Sequence, residues 1–125
     1  MKGNLGKFLR KLRIDNNEYL KDMSQKLDVS ISYLSAIENG VKKISPDLVE
    51  KIILVYSLDV EQIDKLKMYV MEANNSVALD LSKLDDNKLD LTYRFARNVS
   101  YLSESDINLI REILKGADAK FTGLK

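Results

Sequence analysis

The sequence predicts an all-α protein, and three observations support this prediction. Apolar residues recur at helical spacing along most of the chain, as at Leu5 and Leu9. Helix-start signals precede several of these runs; in Ser45-Pro46, for example, serine suits the cap and proline the first helical position. The period-2 pattern that is typical of strands is confined to one short segment, residues 77–81. With 125 residues, 45% of them hydrophobic, the chain is long enough to fill a core.

Seven helices are predicted, covering residues 4–15, 20–27, 30–39, 46–56, 61–73, 86–98 and 103–116. Gly116 is expected to end the last helix and to leave a loose tail up to Lys125. The segment 77–81 either pairs as a strand with another chain or is an extended linker. These elements divide the chain into a domain of residues 1–75 and a C-terminal helical region of residues 76–125. The C-terminal region is expected to serve dimerisation or partner binding.

Two short helices meet within residues 23–40, across a turn too brief to let them separate. Asp28 forms the turn, Ser30 is a good N-cap for the second helix, and Gly40 can end that helix in the left-handed conformation. By their spacing Met23 and Leu27 share one face of the first helix, and Leu34 and Ile37 of the second helix are expected to point inward together. This pattern is typical of a helix-turn-helix.

The outward face of the second of these helices carries small and polar groups and no acid, as a surface that approaches phosphate requires. The candidate base-reading residues are Ile31, Ser32, Tyr33, Ser35 and Ala36. The candidate phosphate contacts are Asn39, Lys42 and Lys43. None of the base-reading candidates offers the bidentate hydrogen bonding of arginine to guanine or glutamine to adenine. Sequence readout would therefore depend on apolar contact with thymine methyls, on hydroxyl contacts and on DNA deformability.

The net charge of +1 conceals an asymmetry between the two parts of the chain. Residues 1–45 contain 9 Lys and Arg against 5 Asp and Glu, a net charge of +4, whereas residues 46–125 contain 11 against 14, a net charge of −3. A basic part that coincides with a helix-turn-helix is the electrostatic pattern expected of a protein that binds double-stranded DNA.

The amino-acid composition excludes several kinds of site and of catalysis. The chain has no cysteine and no histidine, which excludes disulfides, Cys/His zinc sites and catalysis by serine-histidine or cysteine-histidine pairs. No apolar h-region and no stretch long enough to span a bilayer occur, so a cytoplasmic protein without membrane contact is expected. The acids around Asp80 to Asp90 lack the spacing of a calcium loop. No enzyme activity, metal or cofactor is expected.

Residues 5–60 resemble the lambda-repressor-like, Xre-type helix-turn-helix family. The residues that carry the resemblance are Arg13, the segment Leu20 to Leu27, Val29-Ser30, Ser35 to Gly40, Ser45-Pro46 and Leu58 to Val60. The resemblance implies a five-helix DNA-binding fold with the Ser30-to-Asn39 helix in the major groove. It also implies a structural ion pair between Arg13 and Glu38. The sequence departs from the family pattern at Leu20, where a glutamine is usual, and at Asp28, where a glycine is usual.

The function expected from this resemblance is a sequence-specific, repressor-like transcriptional regulator that binds operator DNA as a homodimer. Two alternatives stay open. One is an antitoxin or other module of a mobile element or toxin–antitoxin locus that binds a protein partner through residues 76–114. The other is an adaptor that has kept the fold and lost DNA binding.

Overall fold

A computed structural model describes the backbone of residues 3–123 and the side chains of residues 3–120. Within that range the protein is all-helical, as predicted, and no strand forms at residues 77–81. The helices are α1 (Asn4–Asp15), α2 (Leu20–Lys26), α3 (Ile31–Glu38), α4 (Pro46–Val55), α5 (Val60–Asn74), α6 (Asp86–Asn98) and α7 (Glu104–Gly123), with a 3-10 turn (Val99–Tyr101) after α6. The chain divides into two compact units between Ala78 and Leu79.

The first unit, helices α1 to α5, has a continuous hydrophobic core. Helix α1 packs on α3 and α5, α2 packs on α3, and α4 packs on α5. The buried apolar residues are Leu5, Leu9, Leu12, Met23, Leu27, Leu34, Ile37, Ile44, Leu48, Val49, Ile52, Leu58 and Leu66. Leu34 and Ile37, which the sequence predicts to point inward, belong to this set, and so do Met23 and Leu27. Burying each such side chain contributes about 1.5–3 kcal/mol relative to leaving it exposed, so this core is what holds the five helices together.

The predicted N-caps of α3 and α4 are confirmed. The Ser30 hydroxyl accepts a hydrogen bond from the Tyr33 N–H at 3.0 Å, and the Ser45 hydroxyl accepts one from the Leu48 N–H at 3.2 Å. Pro46 takes the first position of α4, where its missing N–H leaves no helical hydrogen bond unmade. Each cap satisfies a backbone donor that would otherwise have no partner inside the helix.

Each of the five helices of the first unit is followed by a residue in the left-handed conformation. These residues are Asn17 (φ 55°), Asp28 (φ 55°), Gly40 (φ 76°), Ser57 (φ 49°) and Asn75 (φ 52°). At all five ends the next N–H bonds back to a carbonyl five residues earlier, with N···O distances between 2.8 and 3.3 Å. The left-handed conformation predicted for Gly40 is confirmed, and Asp28 adopts the same conformation in the predicted turn. Between α1 and α5 it turns the chain into connections of four to seven residues.

The second unit contains α6 and α7. A capping box is present at the start of α7, because the Ser103 hydroxyl accepts from the Asp106 N–H and the Asp106 carboxylate accepts from the Ser103 N–H, both at 3.2 Å. In the segment before α6, the Ser82 hydroxyl and N–H both donate to the Asp80 carboxylate and thereby lower its pKa.

One expectation about the second unit is wrong. Helix α7 does not end at Gly116 but continues to Gly123, so the residues expected to form a loose tail are helical up to that point, and residues 124–125 lie outside the described part. The physical reason is that glycine inside a helix costs only about 1 kcal/mol relative to alanine. The surrounding residues Lys115, Ala117 and Ala119 are good helix formers and outweigh that cost.

The two glycines Gly40 and Gly116 provide a matched test of this assignment. A methyl group added at either position has no atom within 4 Å, so only the backbone conformation distinguishes them. We expect Gly116→Ala to raise the helix content and to stabilise α7 by about 1 kcal/mol. We expect Gly40→Ala, at a φ of 76°, to destabilise the first unit by about 1–2 kcal/mol. Circular dichroism at increasing temperature measures both, and a loss of helix in Gly116→Ala would contradict the continuous α7.

Candidate nucleic-acid interface

Helices α2 and α3 form the predicted helix-turn-helix. Met23 lies in α2 and Leu27 directly follows it. Both belong to the same core as Leu34 and Ile37 from α3, and all four side chains are almost completely buried. The turn at Asp28 leaves only four residues between the two helices. Because both helices bury the same side against the core, the opposite side of α3 is left to face solvent. The fold thereby determines which residues of α3 can meet another molecule.

A buried ion pair ties α1 to the end of α3. The Arg13 guanidinium donates to both oxygens of the Glu38 carboxylate, at 2.6 and 2.9 Å, and contacts the Met23 sulfur at 3.5 Å. The side chains of Arg13 and Glu38 are only 9% and 3% exposed. This two-point geometry is the strongest form of arginine–carboxylate contact. The two residues named for a structural ion pair are therefore brought together, inside the core and away from the solvent face of α3.

The solvent face of α3 is short and nearly uncharged. Ile31 and Ser32, at the start of the helix, are exposed, whereas Ser35 and Ala36 are half-buried. Asn39 follows the helix, is exposed, and donates a long hydrogen bond of 3.4 Å to the Ser35 hydroxyl. Four of the five candidate base-reading residues thus lie on the accessible part of α3 or at its border. Of the five candidates, Ile31 and Ser32 are the exposed ones.

Tyr33 occupies a different position from the other base-reading candidates. Its ring is half-buried and packs against the hydrophobic core, and its hydroxyl donates to the Lys43 carbonyl at 3.4 Å. These contacts make Tyr33 a support for the loop after α3. A role in base stacking would require the ring to leave both of them.

The loop between α3 and α4, residues 40–45, carries the two candidate phosphate-binding lysines. Lys42 and Lys43 are exposed, but the backbone on both sides of them is fixed. On one side the Val41 N–H bonds to the Ala36 carbonyl at 2.8 Å. On the other side Ile44 is buried, and its N–H and carbonyl both bond to the side chain of Asn74 at 3.1 Å. The lysine side chains therefore extend from a well-defined piece of backbone.

Sequence reasoning missed Asn74. Asn74 lies beside the domain boundary predicted after residue 75, and its side chain reaches back 30 residues to the loop after α3. No local pattern signals such a contact. An asparagine at the end of a helix is common for local capping, and the long-range partner becomes apparent only when α5 is packed against α1 and α4.

A second group that the sequence analysis missed connects the α1–α2 turn to α4. The Glu18 side chain is only 6% exposed, pairs with Lys26, and accepts a hydrogen bond from the Tyr56 hydroxyl at 2.7 Å. The Lys26 ammonium also lies 5.5 Å from the centre of the Tyr56 ring, within the range of a cation–π contact. Burial, together with the hydrogen bond to Glu18, raises the pKa of the Tyr56 hydroxyl above its ordinary value. The group joins the last residue of α2 to the residue that directly follows α4.

Two other kinds of site are absent from the described residues. No group of three or more Asp or Glu side chains there is arranged to hold a metal ion. No helix in that part of the chain combines the length and hydrophobicity that a membrane span needs.

Comparison with known families agrees with this geometry. Residues 6–67, which are 62 of the 125 residues, match the family model described as a helix-turn-helix domain. This part of the chain is a helix-turn-helix domain. The matched range takes in the ion pair, α3 and the lysine loop, and it ends within α5. No curated protein and no solved structure matches the chain significantly. The helix-turn-helix domain indicates a DNA-binding regulator, and domains of this family are not as a rule enzymes.

The Arg13–Glu38 pair can be tested by a double-mutant cycle. We expect Arg13→Ala and Glu38→Ala each to destabilise the helix-turn-helix domain by about 3–5 kcal/mol, because each leaves a buried charge without its partner. The double mutant should cost less than the sum of the two. The exposed pair of Lys11 and Asp15, four residues apart in α1, is the control, and it should contribute about 0.3–0.5 kcal/mol. Urea unfolding measures all the variants, and strict additivity for Arg13 and Glu38 would contradict the coupling.

Proposed function

We propose that the protein is a sequence-specific, repressor-like transcriptional regulator. It binds operator DNA as a homodimer, with the Ser30-to-Asn39 helix in the major groove. The observation that carries this proposal is the position of Glu38. It is the only acid of α3, and it points into the core, where it is paired with Arg13. The solvent face of α3 therefore presents no negative charge to DNA, and it lies beside the lysine loop.

In this proposal the side chains of the interface divide into two sets. Ile31 and Ser32, the exposed base-reading candidates, meet the base edges, the first through apolar contact with thymine methyls and the second through its hydroxyl. Lys42 and Lys43 meet the phosphates, together with Asn39, and hold the helix in register without reading sequence. Ser35 and Ala36 are small and half-buried, which permits close approach of the α3 backbone to the groove floor.

The homodimer rests on the exposed apolar surface of the second unit. Among the described side chains of this unit none is buried, although both helices are rich in apolar residues. The large apolar residues left exposed are Leu79, Leu91, Tyr93, Phe95, Val99, Tyr101, Leu109, Ile113 and Leu114. Exposed apolar surface of this extent marks an association site. A second copy would bury it and would place two recognition helices on two half-sites, which multiplies the DNA contacts.

Because the two sets of side chains contact different parts of the DNA, substitutions in the two sets should change DNA binding in different ways. Replacing both Lys42 and Lys43 by alanine should weaken binding to all duplexes about equally. It should also flatten the slope of log affinity against log salt by about 1.8, near 0.9 for each phosphate that is no longer neutralised. Lys65→Ala with Lys67→Ala removes the same charge from the exposed surface of α5 and should leave the slope unchanged.

Ile31→Ala or Ser32→Ala should each cost about 1 kcal/mol of binding free energy on the cognate site and little on random duplex.

Binding isotherms at several salt concentrations provide these quantities. The cognate duplex comes from footprinting on the DNA that flanks the gene, and a scrambled duplex is the reference. If the lysine double mutant keeps the wild-type slope, the loop does not contact phosphates. If Ile31→Ala and Ser32→Ala leave discrimination unchanged, α3 does not read sequence, and the adaptor becomes the better account.

The oligomeric state is tested by two substitutions of equal exposure. Ile113 in α7 is 72% exposed and Leu54 in α4 is 75% exposed. We expect Ile113→Asp to convert the dimer to a monomer, because a carboxylate would be buried in the association surface, whereas Leu54→Asp should stay dimeric. Sedimentation equilibrium at micromolar concentrations separates the two. A wild-type protein that is monomeric under these conditions contradicts the homodimer, and the exposed surface would then belong to a different protein partner.

A further inference from the structure

We infer that Asn74 is a positioning residue for the contact with the DNA backbone: its side-chain amide holds the loop of residues 40–45 in the conformation that presents Lys42 and Lys43 to phosphate. The inference rests on the proposed function, and it adds a residue that lies outside both the helix-turn-helix and the matched family range.

The contact between Asn74 and Ile44 is specific in both directions. The Asn74 Oδ1 accepts from the Ile44 N–H at 3.1 Å, and the Asn74 Nδ2 donates to the Ile44 carbonyl at 3.1 Å. Ile44 is 3% exposed, so its backbone groups need partners from within the protein. A primary amide offers a donor and an acceptor side by side without charge. The Asn74 side chain thus satisfies both backbone polar groups of Ile44.

The helix to which Asn74 belongs does not need this side chain for its own ending. Helix α5 is closed by the backbone of the next two residues, since the Asn75 N–H bonds to the Glu72 carbonyl and the Ser76 N–H bonds to the Met71 carbonyl, both at 3.3 Å. The Asn74 amide is therefore committed to the loop and not to capping. Its described hydrogen bonds both go to Ile44.

The lysines lie between two fixed points, and Asn74 supplies one of them. Before Lys42, the Gly40 turn and the bond from Val41 to Ala36 attach the loop to α3. After Lys43, the attachment is Ile44, held by Asn74 and supported by the bond from the Tyr33 hydroxyl to the Lys43 carbonyl. A loop that is already ordered loses less conformational entropy when its side chains bind. If Ile44 were released, the loop segment that carries the two lysines would be held only at its α3 end.

The experiment measures binding of the full-length protein to a random-sequence duplex, because phosphate contacts do not depend on sequence. Asn74→Ala removes both hydrogen bonds. Asn75→Ala is the matched control, since it strains the adjacent left-handed position and lowers stability while leaving the contacts of Ile44 in place. All variants are compared below their melting temperatures. We expect Asn74→Ala to weaken binding and to flatten the salt slope toward that of the lysine double mutant, by up to about 1.8. Asn75→Ala should keep the wild-type slope.

A cycle with the lysines separates a positioning role from a purely structural one. In the background of Lys42→Ala with Lys43→Ala, Asn74→Ala should cause no further loss of affinity, because the groups that it positions are absent. The inference is overturned if Asn74→Ala keeps the wild-type salt slope, or if it lowers affinity as much without the two lysines as with them. Either result leaves the proposed function standing. If Asn74→Ala does not fold, Asn74→Asp decides, since it keeps the acceptor for the Ile44 N–H and loses the donor. A wild-type protein without salt-dependent binding overturns the proposed function, and the inference with it.

Discussion

The structure of the first unit depends on the buried contact between Arg13 and Glu38. It is the point at which α1 is attached to the end of α3, and both charges are nearly removed from solvent. Two such charges are tolerated in a core only when each satisfies the other with good geometry. The same contact draws the only acid of α3 away from the surface. A feature that stabilises the fold is therefore also the reason why the exposed face of α3 has the electrostatic character that DNA binding requires.

Short connections make this arrangement possible. Five successive helices end in the same way, with one residue in the left-handed conformation, and only one of those residues is glycine. Asparagine, aspartate and serine tolerate this conformation at a moderate cost, which the packing of the next helix outweighs. The chain thus returns on itself within a few residues at every corner. The core can then be formed from helices of only 7 to 15 residues.

Much of the fold follows from patterns that are local in the sequence. The spacing of Leu5, Leu9 and Leu12, the caps at Ser30 and Ser45, and the turn at Asp28 depend on neighbours within a few residues, and the structure has them where the sequence predicts them. The exception is Gly116, where a helix-ending signal is outweighed by the strong helix formers around it. Propensity at one residue is a weak determinant when its neighbours favour the opposite outcome.

The candidate site is predictable to a smaller extent. The exposure of Ile31 and Ser32 follows from helix periodicity, because Leu34 and Ile37 mark the inward side of α3. The supporting residues cannot be found in this way. The contact of Asn74 with Ile44 and that of Glu18 with Tyr56 join residues 30 and 38 positions apart. Both residue pairs are joined through polar groups and carry no periodic signal, so only the packed helices bring them together.

The separation of roles along α3 has a consequence for how this protein can change over evolutionary time. Leu34, Ile37 and Glu38 maintain the fold, whereas Ile31 and Ser32 project into solvent and bear little of the packing. Substitutions at exposed positions of this kind usually alter stability by no more than about 0.5 kcal/mol. New side chains can therefore appear at these two positions without loss of the folded state. The scaffold is suited to diversification of its binding preference, by natural drift or in a designed library, with the architecture kept constant.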